Sequence, residues 1–473
     1  MQHTAPTTRG TTLALLATGA LILGACQPQL SHLERIKQKG ELVVATHSSH
    51  TTYFHGPNGP SGLEFDLASR LARQLGVKLR MVAAERQDKV LALVATGQAD
   101  IGAGVVVTPE PITFVRYTHP YRQLQQQLIY RRGNDEVPEN LNQLKGGRLE
   151  VGAGSIHADT LRSFADSHPQ LHWSEATDPD TESLLRRVWE RELDYTVANS
   201  DEAAYVRRFY PELRIAFDIA DPLPLAWALP LSTDDTLYQA VQAFLQEAVT
   251  DGTLAQLEDR YFGHVEEFDY VQTRVFLRHL EKRLPRFEPH FLAAAKKYEV
   301  DWRLLAAMGY QESAWNPRAI SPTGVRGIMM LTLATAAHVG IKNRLDPGQS
   351  ILGGARYFSR ILRQIPERIP DPDRTWMALA AYNVGFGHLE DARRLAEHLG
   401  MDPDRWVDVK KTLPLLREKK WYTGLKFGYA RGDEAVVYVE RIRDYYDQLV
   451  RRFPDAGPRE RVADEGAAAI PAT

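Results

Sequence analysis

The chain has 473 residues, too many for one hydrophobic core, which predicts two or three domains. Its 57 basic and 60 acidic side chains leave a net charge of −3, which argues against a nucleic-acid binder. The single cysteine, Cys26, excludes an intrachain disulfide.

Residues 1–26 read as a targeting segment. Arg9 precedes an apolar run, Leu13 to Leu23, that is too short to span a bilayer and ends in small residues, as a cleavable signal does. The ending Leu23-Gly24-Ala25-Cys26 resembles a bacterial lipobox, which implies that Cys26 is lipidated and becomes the new N-terminus. Gln27, rather than Asp, follows it, and by the sorting habit of such lipoproteins this implies the outer membrane, on the periplasmic side. Acyl chains of this kind anchor a protein stably without a transmembrane helix. The plainer alternative is a buried cysteine behind an ordinary signal. Residues 27–40 read as a linker holding a short helix.

From Leu42 the pattern alternates between strand and helix. Leu42 to Ala45 reads as a strand, Leu67 to Leu75 as a helix ending at Gly76, and Val77 to Val82 as a strand. Lys89 to Ala95 is a predicted helix and Asp100 to Val107 a strand. A second set follows: strand Leu149 to Ala153, helices Ala158 to Ala165 and Thr181 to Glu190, strand Tyr195 to Ala198 and strand Leu225 to Leu229. One long helix, Leu237 to Leu257, closes the series. Repeated β-α-β units predict a mostly parallel sheet. Gly62-Leu63-Glu64-Phe65-Asp66-Leu67, Gly97-Gln98-Ala99-Asp100-Ile101-Gly102, Thr108-Pro109-Glu110 and Asp251-Gly252-Thr253 give residues 41–265 a resemblance to bacterial solute-binding proteins for amino acids. The resemblance implies two α/β lobes closing over a ligand, with hinge strands near Leu128 to Arg131 and Phe217 to Leu223. Tyr53, Phe54, Ser155 and Asp201 would line the cleft by analogy; each also suits ordinary packing or a loop. The arginine that usually follows Thr-Pro-Glu and grips a ligand carboxylate is replaced by Pro111, with Arg116 out of register. A free α-amino acid is therefore disfavoured, and a muropeptide or stem peptide is the expected ligand.

Residues 266–286 read as a helical connector. Its apolar stripe, Phe268, Val271, Val275, Phe276 and Leu280, predicts packing against one or both neighbours; an extension of either domain fits equally.

From Phe287 to about residue 455 only helical patterns occur, so this part is expected to be all-α. The segments are Phe291 to Tyr298, Trp302 to Gln311, Leu331 to Val339, Ile351 to Gln364, Arg374 to Asn383, Gly387 to Leu399, Trp406 to Leu413 and Glu434 to Phe453. Leu304, Leu305, Met308 and Glu312 share one stripe, and Asn316-Pro317 is expected to stop their helix. A carboxylate ending an apolar stripe invites a raised pKa, and an acid protonated near neutrality can donate to a glycosidic oxygen. The next helix is expected to begin with Ile328-Met329-Met330-Leu331 after a loop bracketed by Gly324 and Gly327. The tail, 456–473, has no periodicity and is expected to be disordered.

Glu312-Ser313, Gly324 to Met330, Ala381-Tyr382-Asn383-Val384-Gly385 and Tyr438 resemble, in order, the four motifs of the lytic transglycosylase family, whose domain is goose-type lysozyme-like. The whole chain is thus expected to be a two-lobed periplasmic-binding-protein-like α/β domain followed by an all-α lysozyme-like domain. The resemblance implies a peptidoglycan lyase that cleaves the MurNAc–GlcNAc bond without water and leaves 1,6-anhydro ends. Glu312 would be its acid and base, with Ser313, Met329, Met330, Tyr382, Asn383 and Tyr438 on the substrate side. Tyr438 is expected to touch Glu312 and keep its pKa high. Met330 stands where the family usually has Gln, which removes an amide contact to the sugar. Two further carboxylates, Asp301 and Asp346, lie outside the motifs. A lysozyme-type hydrolase and a non-catalytic cell-wall receptor are the alternatives. No metal-ligand spacing or nucleotide fingerprint occurs, so no cofactor is expected.

Overall fold

The strand Glu41–His47 is buried along almost its whole length, as its unbroken apolar run requires of a strand covered on both faces. In the computed structural model it is an inner strand of the first lobe, next to the strand at the edge of its sheet. The structure describes residues 30–454 except 57–58, 109–112, 134–136, 145, 178–179, 264–269 and 322–323. The targeting segment with Cys26, most of the Thr108-Pro109-Glu110 motif, Pro111, Phe268 and the tail lie outside the described residues.

The first lobe is a six-stranded sheet in the order Lys78–Ala84, Glu41–His47, Ile101–Val106, Leu223–Pro230 and Val115–Tyr117, with Arg122–Leu124 also paired to Leu223–Pro230. Five of these strands run the same way; Leu223–Pro230 runs against them and pairs antiparallel with all its partners. The second lobe departs further from the parallel expectation. Its main sheet, Tyr195–Asn199 against Gln126–Arg131 against Leu213–Asp218, is antiparallel throughout. Glu150–Gly152 and Ser174–Ala176 pair parallel there, as do Leu149 and Tyr195 in a single bridge. The chain crosses between lobes just before Gln126 and just after Asp218, so the expected hinge at Leu128 to Arg131 is itself part of the second sheet, whereas Phe217 to Leu223 spans the second crossing.

The helix Leu63–Leu75 packs on the first sheet, and its entry depends on Gly62. With φ at 125°, a Cβ there would lie 2.1 Å from the Thr52 carbonyl oxygen. Glu64 on its first turn is buried, accepting from the Tyr121 hydroxyl and from the Trp227 indole at 2.8 Å. The closing helix is two helices, Thr236–Thr250 and Thr253–Phe262, because Gly252 adopts a left-handed conformation between them.

The rest is helical and shares one continuous core from Phe276 to Phe453. The connector helix Tyr270–Lys282 joins this core: the Phe276 ring packs on Tyr310, Trp315 and Tyr445, while Val271 stays exposed. The helices Glu288–Tyr298, Trp302–Ser313, Leu333–His338, Pro347–Gln364, Asp373–Val384, Phe386–His398 and Trp406–Thr412 follow, ending with the 21-residue helix Gly432–Arg452.

That last helix also fastens the two parts together. Arg443, 1% exposed, donates to the Asp259 carboxylate at 3.2 Å and to the Arg260 carbonyl at 3.3 Å. Lys410 reaches the same carboxylate. Farther along, Asp447 pairs with Arg208 and Arg451 pairs with Glu182 of the second lobe.

Candidate active site

The helix Trp302–Ser313 begins at Asp301, whose side chain accepts from the Arg303 backbone N–H. The Arg303 guanidinium, fully buried, pairs with that carboxylate and donates to the Phe453 carbonyl at 3.0 Å. Every residue from Trp302 to Tyr310 is buried, so the helix runs through the core and is not a one-faced surface helix. It ends earlier than Asn316-Pro317 implies. Ala314 and Trp315 both take positive φ, 49° and 54°, and the chain turns away there. The Trp315 indole, donating to the Ala306 carbonyl at 2.8 Å, holds this strained pair in place.

Opposite the helix end lies a turn where the sequence predicts a helix. Gly327 has φ of 94°, and a Cβ on it would lie 2.1 Å from the Arg344 carbonyl oxygen. Met330 has φ of 42°, which no helix accommodates, and the next helix starts only at Leu333, capped by Thr332. Met329, expected on the substrate side, is wholly buried against Gly309 and Gly354. Its backbone matters instead: its N–H donates to Ser350 Oγ at 3.3 Å and its carbonyl accepts from the Tyr382 hydroxyl at 3.2 Å. Ser313 Oγ donates to the Ile328 carbonyl at 2.9 Å, with the Gly309 carbonyl also in reach at 3.1 Å. Ser313 therefore ties the acid helix to the turn.

Glu312 projects from the helix end between these pieces. The Tyr438 hydroxyl, from the Gly432–Arg452 helix, donates to Glu312 Oε1 at 2.7 Å. Burial pushes the Glu312 carboxyl up to about 7, and the Tyr438 hydrogen bond pulls it down. The expected contact is present, but its effect is the reverse of the expectation: a phenol that donates to a carboxylate favours the charged form. The phenols of Tyr382 and Tyr438 are both raised by burial and then by the nearby Glu312 charge. Asn383 stands exposed on the last turn of Asp373–Val384, before Gly385 ends that helix. The two other carboxylates are occupied. Asp301 binds Arg303 and the Tyr446 hydroxyl, and Asp346 caps the helix Pro347–Gln364.

A second site lies between the α/β lobes, a cavity of about 550 Å³. Ser155 and Asp201 line it as expected; Tyr53 and Phe54 do not. Tyr53 packs on His55 and Phe65, and Phe54 on His50. Sequence reading missed Arg122, Glu202 and His157, which also line the cavity. Arg122 faces Asp201 at 3.7 Å and Glu258 at 2.9 Å. Burial, reinforced by the neighbouring Asp201, pushes Glu202 up to about 8, and burial drops His157 to about 4. Arg116 is no substitute for the missing arginine: it pairs with Asp235 and stacks on Tyr238.

Residues 289–403 match the model of the transglycosylase SLT domain, and residues 42–264 match that of bacterial extracellular solute-binding proteins, family 3. The chain is 49% identical to membrane-bound lytic murein transglycosylase F 1 of Alkalilimnicola ehrlichii, over 96% of this chain and 92% of that one. It is 47% identical to membrane-bound lytic murein transglycosylase F of Hahella chejuensis, over 92% of this chain and 86% of that one. Among solved structures, the front part is similar to an amino acid ABC transporter substrate-binding protein, AbpA, of Streptococcus pneumoniae, 25% identical over 50% of this chain and 99% of that one, with a TM-score of 0.44.

Proposed function

Because the chain belongs to the membrane-bound lytic murein transglycosylase F family, and so is a peptidoglycan lyase with a solute-binding-like front module, we propose that Glu312 is its single acid and base. Protonated, Glu312 gives its proton to the oxygen bridging N-acetylmuramic acid and N-acetylglucosamine, and the C1–O bond breaks. The 2-acetamido group of the substrate relieves the oxocarbenium-like charge. The carboxylate then takes the proton of the muramoyl C6 hydroxyl as that oxygen bonds to C1, closing the 1,6-anhydro ring without water. One observation carries this reading: an acid held at about 7 is able both to give and to retrieve a proton at neutral pH. Glycosidases with two carboxylates set a second one across the bond, and Asp301 and Asp346 are engaged elsewhere. Tyr438 positions Glu312, and Met330, Tyr382 and Asn383 face or frame the sugar. Digestion of purified sacculi tests this. Glu312→Gln should form no anhydro-muropeptides, and wild-type products should be one water lighter than those of a hydrolase; reducing-end products overturn the scheme.

The front module, in this reading, binds a stem peptide or muropeptide and shifts the rate of the back one. Support comes from a cleft whose lining holds Arg122 beside Asp201, with the acid Glu202 also in the wall, which suits a ligand carrying carboxylate and ammonium groups. Stem peptides added to the full chain and to a fragment starting near Phe268 should change only the first rate; equal rates in both overturn it. Cys26 is the proposed lipidation site, anchoring the chain at the periplasmic face of the outer membrane. Among the described residues no helix is long and apolar enough to cross a membrane. Cys26→Ser should move the protein from the membrane fraction to the soluble one.

A further inference from the structure

The segment between Thr412 and Gly432 is rich in aromatic and basic side chains, Lys420-Trp421-Tyr422 and Lys426-Phe427-Gly428-Tyr429. Phe427 and Tyr429 are large rings left 49% and 52% exposed. They are nonetheless held firmly. Asp391, wholly buried, accepts from the Phe427 backbone N–H at 2.7 Å and from that of Lys426 at 3.2 Å. The Phe427 ring lies on Gly387, where a Cβ would come within 2.7 Å of it. His388 meets the ring edge-on at 6.1 Å, and Tyr422 meets Tyr429 edge-on at 5.7 Å. A buried carboxylate spent on fixing an exposed ring is a costly arrangement for surface packing alone.

Position says what the rings face. Gly387 follows Asn383 by four residues across the break at Gly385, so the chain can carry it no farther than about 14 Å from that residue. The ring that lies on Gly387 is therefore within that reach of the rim on which Asn383 stands exposed. Lys420 and Lys426 place ammonium groups 4.5 Å and 5.3 Å from the Trp421 and Phe427 ring centres. A glycan strand bearing peptide stems offers the complement: apolar sugar faces for the rings and stem carboxylates for the lysines.

We propose that Phe427 and Tyr429, with Lys426 beside them, form a subsite for a sugar residue and its peptide stem distant from the cleaved bond. This rests on the assignment of Glu312 and extends the groove that it implies. The subsite acts in binding, not in proton transfer, so it acts on KM and leaves kcat alone.

Two measurements on the full chain test it. In the Glu312→Gln background, Phe427→Ala should weaken cosedimentation with sacculi by about ten-fold, the scale of one lost aromatic contact plus its burial. In the active enzyme the same change should raise KM by a similar factor, with kcat within about two-fold and with Phe427→Trp restoring the parent value. Should Phe427→Ala unfold, Tyr429→Ala and Lys426→Glu carry the test, since both side chains stand exposed. Unchanged cosedimentation in all three variants overturns the proposal. So does a loss seen only with anionic lipid vesicles, which would make the shelf a membrane contact. Turnover by Glu312→Gln itself would instead sink the catalytic assignment, and the binding arm would still be readable.

Discussion

Tyr438 reaches Glu312 across 126 residues of sequence, its hydroxyl 2.7 Å from Oε1. This bond opposes the burial that raises the acid, so removing it has a determined sign. The first step needs Glu312 protonated, and the rate should fall as pH rises through about 7. Tyr438→Phe leaves burial unopposed, and the alkaline limb of the pH–rate profile should move to higher pH. The maximal rate should fall by about ten-fold from lost positioning. A limb that stays put or moves to lower pH contradicts the geometry.

Glu312 should also weaken the fold that holds it. Its folded pKa of about 7 lies above the ordinary 4.5, so its stability contribution is fully present below 4.5 and is lost as pH rises toward 7. Glu312→Gln should therefore be the more stable protein at pH 8, by up to roughly 3 kcal/mol, and no more stable at pH 4. Thermal melts of both forms at the two pH values check this. A gap that does not close in acid removes the argument.

Ser313→Ala tests whether that hydroxyl serves the fold or the sugar. Losing the bond to the Ile328 carbonyl should cost about 1 kcal/mol of stability. The rate should drop with no displacement of the pH profile. An unchanged melting temperature with a raised KM would reassign Ser313 to the substrate.

The lobe contacts of the last helix give a fourth expectation. Arg208→Ala with Arg451→Ala removes the Arg208–Asp447 and Arg451–Glu182 pairs. The rate of this double variant on sacculi should no longer respond to stem peptide, while peptide binding, followed by calorimetry, persists. A retained response would mean that the modules communicate by another route.

In the cleft between the lobes, Glu202 is held at about 8 and is mostly protonated at pH 7. A ligand ammonium placed against it would favour the carboxylate and expel the proton. Binding should tighten as pH rises from 7 toward 9. Calorimetry at pH 7 in buffers of different ionisation enthalpy should report proton release, and Asp201→Asn should weaken binding by about ten-fold.

Local chemistry made much of this readable. The helices of the back part follow their apolar periodicity, and Glu312 could be singled out because it ends an apolar run beside a glycine-bracketed loop. Three features resisted for stated physical reasons. Met330 and the Ala314–Trp315 pair adopt positive φ without being glycine, and only tertiary contacts such as the Trp315 indole bond impose that. The first lobe's sheet mixes directions because Leu223–Pro230 returns from the second lobe, a long-range event that no window of sequence records. Arg122 and Glu202 line the cleft, yet neither sits in a pattern that separates it from any surface charge.

The helix Gly432–Arg452 has its middle clamped and both ends employed. Tyr445 is stacked on Phe276 and Arg443 is locked to Asp259, while Tyr438 lies on one side of that clamp and Arg451 on the other. At 1.5 Å per residue the two arms are each about 10 Å long. Were the second lobe to push Arg451 by one ångström and the helix to tilt about that clamp as a rigid rod, the tyrosine would move by about as much. Such a stroke would stretch the 2.7 Å bond to Glu312 beyond good hydrogen-bonding distance.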